Sequence, residues 1–125
     1  YTAPKVIYLH GTLGAGKTTL VRAWLRALGY ADLVRSPTYN IVHPYSIDEK
    51  KYYHFDLYRL IDPSELEHIG LEDYFTQDAV CWIEWPEKGE NRLPKADLEI
   101  FIGIEGDQRE MRLETYTKEL PFSSD

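Results

Sequence analysis

The sequence Gly11-Thr12-Leu13-Gly14-Ala15-Gly16-Lys17-Thr18 matches the pattern G-x-x-x-x-G-K-[ST] and decides the fold. Its glycines let the backbone curl so that successive N–H groups point inward as an anion-binding nest, and a helix beginning near Lys17 adds the positive end of its dipole. Lys17 can reach the β- and γ-phosphates of a nucleotide as a mobile cation, and the Thr18 hydroxyl can bind the Mg²⁺ that bridges them. The stretch therefore predicts a loop that binds nucleoside triphosphates.

The residues on either side of the loop predict the strand and the helix that it requires. Residues 5–9 form a short, β-rich apolar run that ends just before Gly11. After the loop, apolar residues share one stripe of a helix that stops at Gly29. The stripe consists of Leu20, Val21, Trp24, Leu25 and Leu28. A glycine-rich turn that precedes a helix by chance is the alternative, and the agreement of motif and context favours nucleotide binding.

Size, charge and composition limit the class of protein. The 125 residues predict a single domain over residues 1–120 and a short tail over residues 121–125. The net charge of −7 opposes tight binding of a nucleic acid by the whole surface, so any contact with nucleic acid needs a partner. Because no apolar run could cross a bilayer, no signal peptide is visible and Cys81 is the single cysteine, we expect a cytoplasmic protein.

Beyond the first helix, the chain alternates strand and helix patterns. Residues 39–45 and 51–58 predict two strands joined by a hairpin-like connection over residues 46–50. In the second of these strands, apolar residues alternate with His54, Asp56 and Tyr58. One face of this strand is therefore apolar, and the other carries polar groups suited to chemistry.

The second half of the sequence predicts a short helix, a buried strand and a closing hairpin. Ser64 and Glu67 fit a capping box for a helix that ends at Gly70, and residues 71–75 predict a second short helix. Residues 79–83 form a continuous apolar run typical of a buried central strand, which ends in Glu84. Residues 86–94 have the composition of a linker, and alternation over residues 98–113 around a Gly-Asp turn predicts an antiparallel hairpin.

Together these patterns predict an α/β domain of the P-loop NTPase type, with a mainly parallel sheet flanked by helices and extended by antiparallel strands. Ligands of such sheets bind at the carboxyl ends of the strands, where both Glu84 and the loop leave the sheet. Asp56 and Glu84 are candidates for the Mg²⁺ shell and for orienting water, although Asp56 could equally be solvated or ion-paired. Thr38 is either a turn hydroxyl or a group that meets a γ-phosphate from a mobile loop, and His54 is a packed or surface histidine rather than a ligand.

Four short motifs, in this order, closely resemble those of the bacterial TsaE (YjeE) family. They are the loop with Thr19, Ser36-Pro37-Thr38-Tyr39, His54-Phe55-Asp56-Leu57-Tyr58-Arg59-Leu60 and Ile83-Glu84-Trp85-Pro86. The resemblance runs from about Val6 to about Ile104. It implies an ATPase that works with the TsaB–TsaD complex to place threonylcarbamoyl on the adenosine next to the tRNA anticodon, and that contacts tRNA only indirectly.

The same resemblance implies ATP and Mg²⁺ as cofactors and assigns roles to individual residues. Thr18, Asp56 and Glu84 would form the Mg²⁺ shell, with Glu84 also the candidate acid for hydrolysis. The catalytic set would be completed by Lys17, Asp56 and the switch-like Thr38. Nucleotide-binding positions would be Gly11, Leu13, Gly14, Ala15, Gly16, Lys17, Thr18, Thr19 and Trp85. The chain departs from the family in having Thr12 where Asp is usual, and in starting just before the loop strand where members usually carry a longer segment.

Two other functions fit a P-loop domain. A small-molecule kinase is disfavoured, because the sequence has no arginine-rich lid segment and little chain for an acceptor pocket. A nucleotide-gated assembly module would bind ATP with negligible turnover. The sequence lacks the guanine-reading N-K-x-D element, but it does not decide between adenine and guanine, and it predicts no oligomeric state.

Overall fold

The structure is a computed structural model that describes residues 5–12, 14–31, 41–76 and 78–116. The helices are α1 (Lys17–Ala27) and α2 (Glu65–His68), with a 3₁₀ helix at Leu71–Asp73 and 3₁₀ turns over Pro86–Arg92 that are interrupted at Glu90. The strands are β1 (Val6–His10), β2 (Val42–Ile47), β3 (Lys50–Asp56), β4 (Ala79–Glu84), β5 (Leu98–Glu105) and β6 (Gln108–Thr115).

The six strands within the described residues form one sheet in the order β2-β3-β4-β1-β5-β6. β1 runs parallel to both of its neighbours, β4 and β5, and β3 runs parallel to β4. The outer strands β2 and β6 are antiparallel to β3 and β5. The predicted fold class, a mainly parallel sheet with added antiparallel strands, is therefore confirmed, and the loop strand β1 lies inside the sheet.

Both faces of the central strands are covered by apolar clusters, whereas β6 is mostly exposed. On one face α1 packs Val21 and Leu25 against Trp82 and its neighbours, and the Trp24 and Trp82 rings meet edge to face. On the other face Phe55, Leu57, Leu66, Cys81 and Ile83 form a second apolar cluster. Every residue of β4 is buried, which confirms the predicted central strand. Burial raises the pKa of the Cys81 thiol to about 12, as expected for a cysteine that fills the core.

The structure corrects the predicted second strand at its end. Strand β3 stops at Asp56, because Asp56 Oδ1 accepts from the Tyr58 N–H in a local turn, and the last bond to β4 runs from the Leu57 N–H to the Glu84 carbonyl. Asp56 is thus the last residue of its strand and pairs in register with Glu84. Both carboxylates lie at the carboxyl edge of the sheet, rather than one within a strand and one at a tip.

The predicted capping box of Ser64 and Glu67 is wrong. Ser64 already has helical backbone angles, so its side chain makes no capping hydrogen bond. Instead Asp62 Oδ1 accepts from the Ser64 N–H, and Glu65 Oε2 accepts from the Asp62 N–H. Glu67 forms an ion pair with Arg92 at 3.0 Å. The capping box is therefore shifted by two residues towards the N-terminus.

Residues 86–94 also differ from the prediction, because they pack on the sheet and do not form a linker. Gly89 is buried, and a Cβ there would approach the Leu93 side chain to 2.9 Å. The Tyr8 hydroxyl donates to the Pro94 carbonyl across the chain. The predicted hairpin of β5 and β6 is present around Gly106. No helix in the described ranges is long and apolar enough to span a membrane.

Candidate nucleotide-binding site

The loop between β1 and α1 has the backbone that its glycines predict. Gly16 caps the helix with φ +108, a left-handed conformation that favours glycine. At Gly11 a Cβ would lie 2.9 Å from the Ile102 carbonyl oxygen, so the close approach of β5 excludes any larger residue. The first turn of α1 contains no acidic residue. The positive end of the helix dipole therefore faces the loop without a competing negative charge.

Lys17 is held over the loop by two contacts. Its side chain is almost buried, its Nζ donates to the Gly11 carbonyl at 2.5 Å, and it lies 3.6 Å from the centroid of the Trp85 ring. The Tyr58 ring packs against the Trp85 ring, with 5.2 Å between the ring centroids. Burial lowers the pKa of Lys17, while the nearby carboxylates, Glu84 first among them, oppose this shift. The Trp85 ring therefore stabilises the Lys17 ammonium through a cation–π contact. The sequence does not reveal this contact.

The carboxyl ends of β3 and β4 place the two acids side by side next to the helix. Glu84 is 3% exposed, and its Oε2 accepts hydrogen bonds from the Thr18 hydroxyl at 2.8 Å and from His54 Nε2 at 2.6 Å. Burial raises the pKa of Asp56, the Tyr58 N–H opposes that shift, and the charge of Glu84 adds to it. Two neighbouring carboxylates in a half-buried site are an unfavourable pair that a cation would stabilise.

This donor set fits Mg²⁺. A hydroxyl and two carboxylates are hard oxygen ligands, which Mg²⁺ prefers, and it usually takes one or two carboxylates together with substrate phosphates. Within residues 5–12, 14–31, 41–76 and 78–116, no group of three or more His, Cys, Asp and Glu side chains could hold a metal ion. Phosphate oxygens would therefore have to complete the shell. Thr18 contacts Glu84 directly, and Asp56 lies beside them.

Arg109 on β6 belongs to the site and is absent from the sequence-based candidates. Its Nε donates to the Ala15 carbonyl at 3.0 Å, and its Nη2 donates to the Gly14 carbonyl at 3.3 Å. Only the register of the hairpin brings this side chain to the loop, because 94 residues separate it from Ala15. The guanidinium thus ties β6 to two carbonyls of the loop.

A cavity of about 660 Å³ joins these groups into one site. This volume lies within the range of about 300–1,000 Å³ that is typical of small-molecule sites. Its lining includes the two carboxylates and Trp85, and Ile102 and Met111 of the β5–β6 hairpin. Charged and apolar groups in one cavity suit a phosphate chain with an attached organic group.

The structure brings most of the predicted residues together around this cavity. The lining includes Gly14, Ala15, Gly16, Lys17, Thr18, Thr19, Asp56, Glu84 and Trp85. Gly11 contacts the site through its carbonyl, which accepts from Lys17. Leu13 and Thr38 lie outside the described residues, so their predicted roles stay predictions. His54 is a packed histidine, as expected, but its bond to Glu84 was missed; its position two residues before Asp56 on one strand face is the available signal.

A parallel strand, a glycine-rich loop and a helix with Lys17 and Thr18 at its start define the P-loop class of proteins. The profile of the family described as threonylcarbamoyl adenosine biosynthesis protein TsaE matches residues 1–112. The chain belongs to the TsaE family.

Individual relatives agree with this assignment. A tRNA threonylcarbamoyladenosine biosynthesis protein TsaE from Haemophilus influenzae is 52% identical over 108 residues, which cover 86% of this chain and 68% of the relative. The protein of the same description from Bacillus subtilis is 41% identical over 102 residues, covering 82% of this chain and 63% of that relative. The crystal structure of Bacillus subtilis YdiB superimposes with a TM-score of 0.70 at 33% identity, covering 89% of this chain and 68% of that one. The chain thus spans about two thirds of the length of these relatives.

We expect Arg109→Ala to weaken nucleotide binding by about threefold to tenfold, the effect of losing roughly one net hydrogen bond. Isothermal titration of the folded variant with ATP and Mg²⁺ measures the change. Arg112→Ala is the matched control, because it removes the same charge from the same strand, where Arg112 packs over Phe101 and pairs with Glu114. An equal loss of affinity in both variants would show that general charge, rather than the loop contact, is responsible.

Proposed function

We propose that this protein binds ATP with Mg²⁺ and hydrolyses it to support a TsaB–TsaD-like complex, which places threonylcarbamoyl on the adenosine next to the tRNA anticodon. The observation that carries the proposal is the contact between the Thr18 hydroxyl and the buried Glu84 carboxylate at the foot of the loop. This contact joins the phosphate-binding element to an acid at the carboxyl edge of the sheet, where P-loop enzymes place metal and water.

Binding of the phosphates would use the loop and Lys17. The loop N–H groups and the start of α1 form a site for an anion, and the Lys17 ammonium is already poised over the Gly11 carbonyl. A triphosphate is a far stronger partner for an ammonium than one carbonyl oxygen, so Lys17 would exchange that bond for the β- and γ-phosphates. The apolar side chains of the lining, Ile102 and Met111 among them, would then be available to contact the nucleoside.

Thr18 and Asp56 would hold Mg²⁺, which would supply charge neutralisation for the β- and γ-phosphate oxygens, and Glu84 would lie beside that shell. The protein's own groups would act on the water. Glu84 would accept a hydrogen bond from the attacking water and direct its lone pair to the γ-phosphorus. A bond forms between the water oxygen and phosphorus, the bond to the β–γ bridging oxygen breaks, ADP leaves with its electron pair, and the proton lost by the water passes to Glu84.

The partner is supported by the family assignment and by charge. The relatives carry descriptions that name tRNA threonylcarbamoyladenosine biosynthesis. A chain with a net charge of −7 is a poor ligand for tRNA, so a partner complex would hold the RNA. Such a pathway operates on tRNA and fits the cytoplasm.

We expect low phosphate release from the protein alone and a stimulation of about tenfold or more by a TsaB–TsaD complex, since groups supplied in trans commonly complete such sites. The assay uses ATP and Mg²⁺ with no added acceptor. Equal rates with and without the complex would contradict the partner dependence. Turnover that requires a small-molecule acceptor would favour a kinase, and tight ATP binding with no release in either mixture would favour an assembly module.

A further inference from the structure

His54 is a fully buried polar side chain in the middle of the sheet. It is 0% exposed, and it lies on β3 opposite Trp82 of β4. Its Nε2 lies 2.6 Å from Glu84 Oε2, a short contact for a hydrogen bond to a charged acceptor. An ionised carboxylate oxygen can only accept, so the ring carries a proton on Nε2 and donates it to Glu84.

The other ring nitrogen of His54, Nδ1, gives no reason for a histidine at this buried position. His54 Nδ1 is buried and has no hydrogen-bond partner among the residues that the structure describes. An unpaired buried polar atom is destabilising, so an apolar residue of similar volume would avoid a penalty that histidine incurs. The Nε2 donor to Glu84 is therefore the one feature of this side chain that an apolar residue could not replace.

The two donors to Glu84 differ in what else they can reach. The Thr18 hydroxyl lines the cavity and is a proposed ligand of Mg²⁺, so nucleotide binding would engage it. His54 does not line the cavity, and its ring is enclosed by protein. Both donors use Oε2, which leaves Oε1 of Glu84 free of a described side-chain hydrogen bond. The bond from His54 would thus persist while Thr18 is engaged elsewhere.

We propose that His54 is a positioning residue, whose Nε2–H fixes the Glu84 carboxylate so that its second oxygen faces the water that attacks ATP. This inference rests on the proposed hydrolysis. His54 touches neither nucleotide nor metal and acts only through Glu84. Loss of a residue that hydrogen-bonds to a functional group and orients it, as in metal sites, typically lowers activity by about ten- to a hundredfold.

The test compares His54→Leu, which removes the donor at similar volume, with His54→Gln, whose amide nitrogen can reach the position of Nε2. Each is made in the parent and in Glu84→Gln. Phe55→Leu is the control for packing, because Phe55 is also 0% exposed and adjacent but belongs to the apolar cluster on the opposite face of the sheet. Single-turnover rates and ATP dissociation constants are measured with Mg²⁺ and the partner complex.

We expect His54→Leu to lower the single-turnover rate by about tenfold or more, with ATP affinity within about threefold, and to have less than about a twofold effect in the Glu84→Gln background. His54→Gln should keep most of the parent rate, and Phe55→Leu should affect stability but not rate. An unchanged rate in His54→Leu would overturn the proposal. So would an equal fall in both backgrounds, because the effect would then not pass through Glu84.

A proton resonance tests the contact without turnover, and also applies if His54→Leu fails to fold. In ¹⁵N-labelled parent protein, the His54 Nε2–H should give a downfield signal protected from solvent exchange, which moves upfield in Glu84→Gln because the acceptor loses its charge. A signal that is absent or unaffected by Glu84→Gln would overturn the contact. Failure of the parent to hydrolyse ATP with the complex present would contradict the proposed function. The resonance would still test the hydrogen bond between His54 and Glu84.

Discussion

Glu84→Gln should bind ATP with Mg²⁺ nearly as tightly as the parent and hydrolyse it at least about a hundredfold more slowly. Glutamine keeps the shape of the side chain, and its carbonyl can still accept from Thr18 and His54, which both donate to one oxygen of Glu84. The substitution removes the charge and places an amide where the free carboxylate oxygen would accept from water. ATP should therefore remain bound and unreacted.

Asp56→Asn is the matched control, because Asp56 pairs with Glu84 in register and ends the neighbouring strand. If Asp56 belongs to the Mg²⁺ shell, this variant should lose Mg²⁺-dependent nucleotide binding and turnover together. Dissociation constants and single-turnover rates of both variants separate the two roles. Normal hydrolysis by Glu84→Gln, or a loss of binding that matches Asp56→Asn, would show that Glu84 does not act mainly on water.

Lys17→Ala should weaken ATP binding by about a hundredfold or more, because it removes a charge-assisted contact to the β- and γ-phosphates. The ammonium is nearly buried between the Gly11 carbonyl and the Trp85 ring, where water would replace it poorly. The fold should survive, because Lys17 is the first residue of α1 and does not lie between the helix and the sheet. Titration with ATP, with circular dichroism as a check on folding, measures the effect.

Lys88→Ala is the control for Lys17, since Lys88 lies 5.6 Å from the Tyr58 ring and carries the same charge near the same cavity. Its loss should change ATP affinity by less than about threefold, as expected for a charge outside the loop. A folded Lys17→Ala protein with parental affinity would mean that the loop does not bind phosphate. Equal losses in the two variants would mean that net charge, and not the position of Lys17, determines binding.

The elements that sequence predicts well are those whose pattern is local. The loop motif needs only consecutive residues, and the continuous apolar run of β4 and the alternation of the β5–β6 hairpin identify strands without knowledge of their neighbours. The capping box failed because Ser64 and Asp62 are both acceptable N-cap residues, and only the helical backbone of Ser64 decides between them.

The parts that sequence could not predict depend on register between distant strands. Arg109 meets the loop because of the pairing of β5 with β6, and His54 meets Glu84 because β3 lies beside β4. The spacing along the chain carries no signal for the contact of Arg109. The shared strand face of His54 and Asp56 indicates that His54 lies near the site, but it does not identify Glu84 as its partner.

The most direct test of the central claim is the chemical state of nucleotide bound to the protein. Labelled ATP is mixed with a small excess of the parent or of Glu84→Gln, in the presence of Mg²⁺ and a TsaB–TsaD complex, and the bound nucleotide is identified after a single turnover. The account predicts ADP and phosphate from the parent, and intact, bound ATP from Glu84→Gln. Intact ATP on the parent, or ADP formed equally by both proteins, would contradict it.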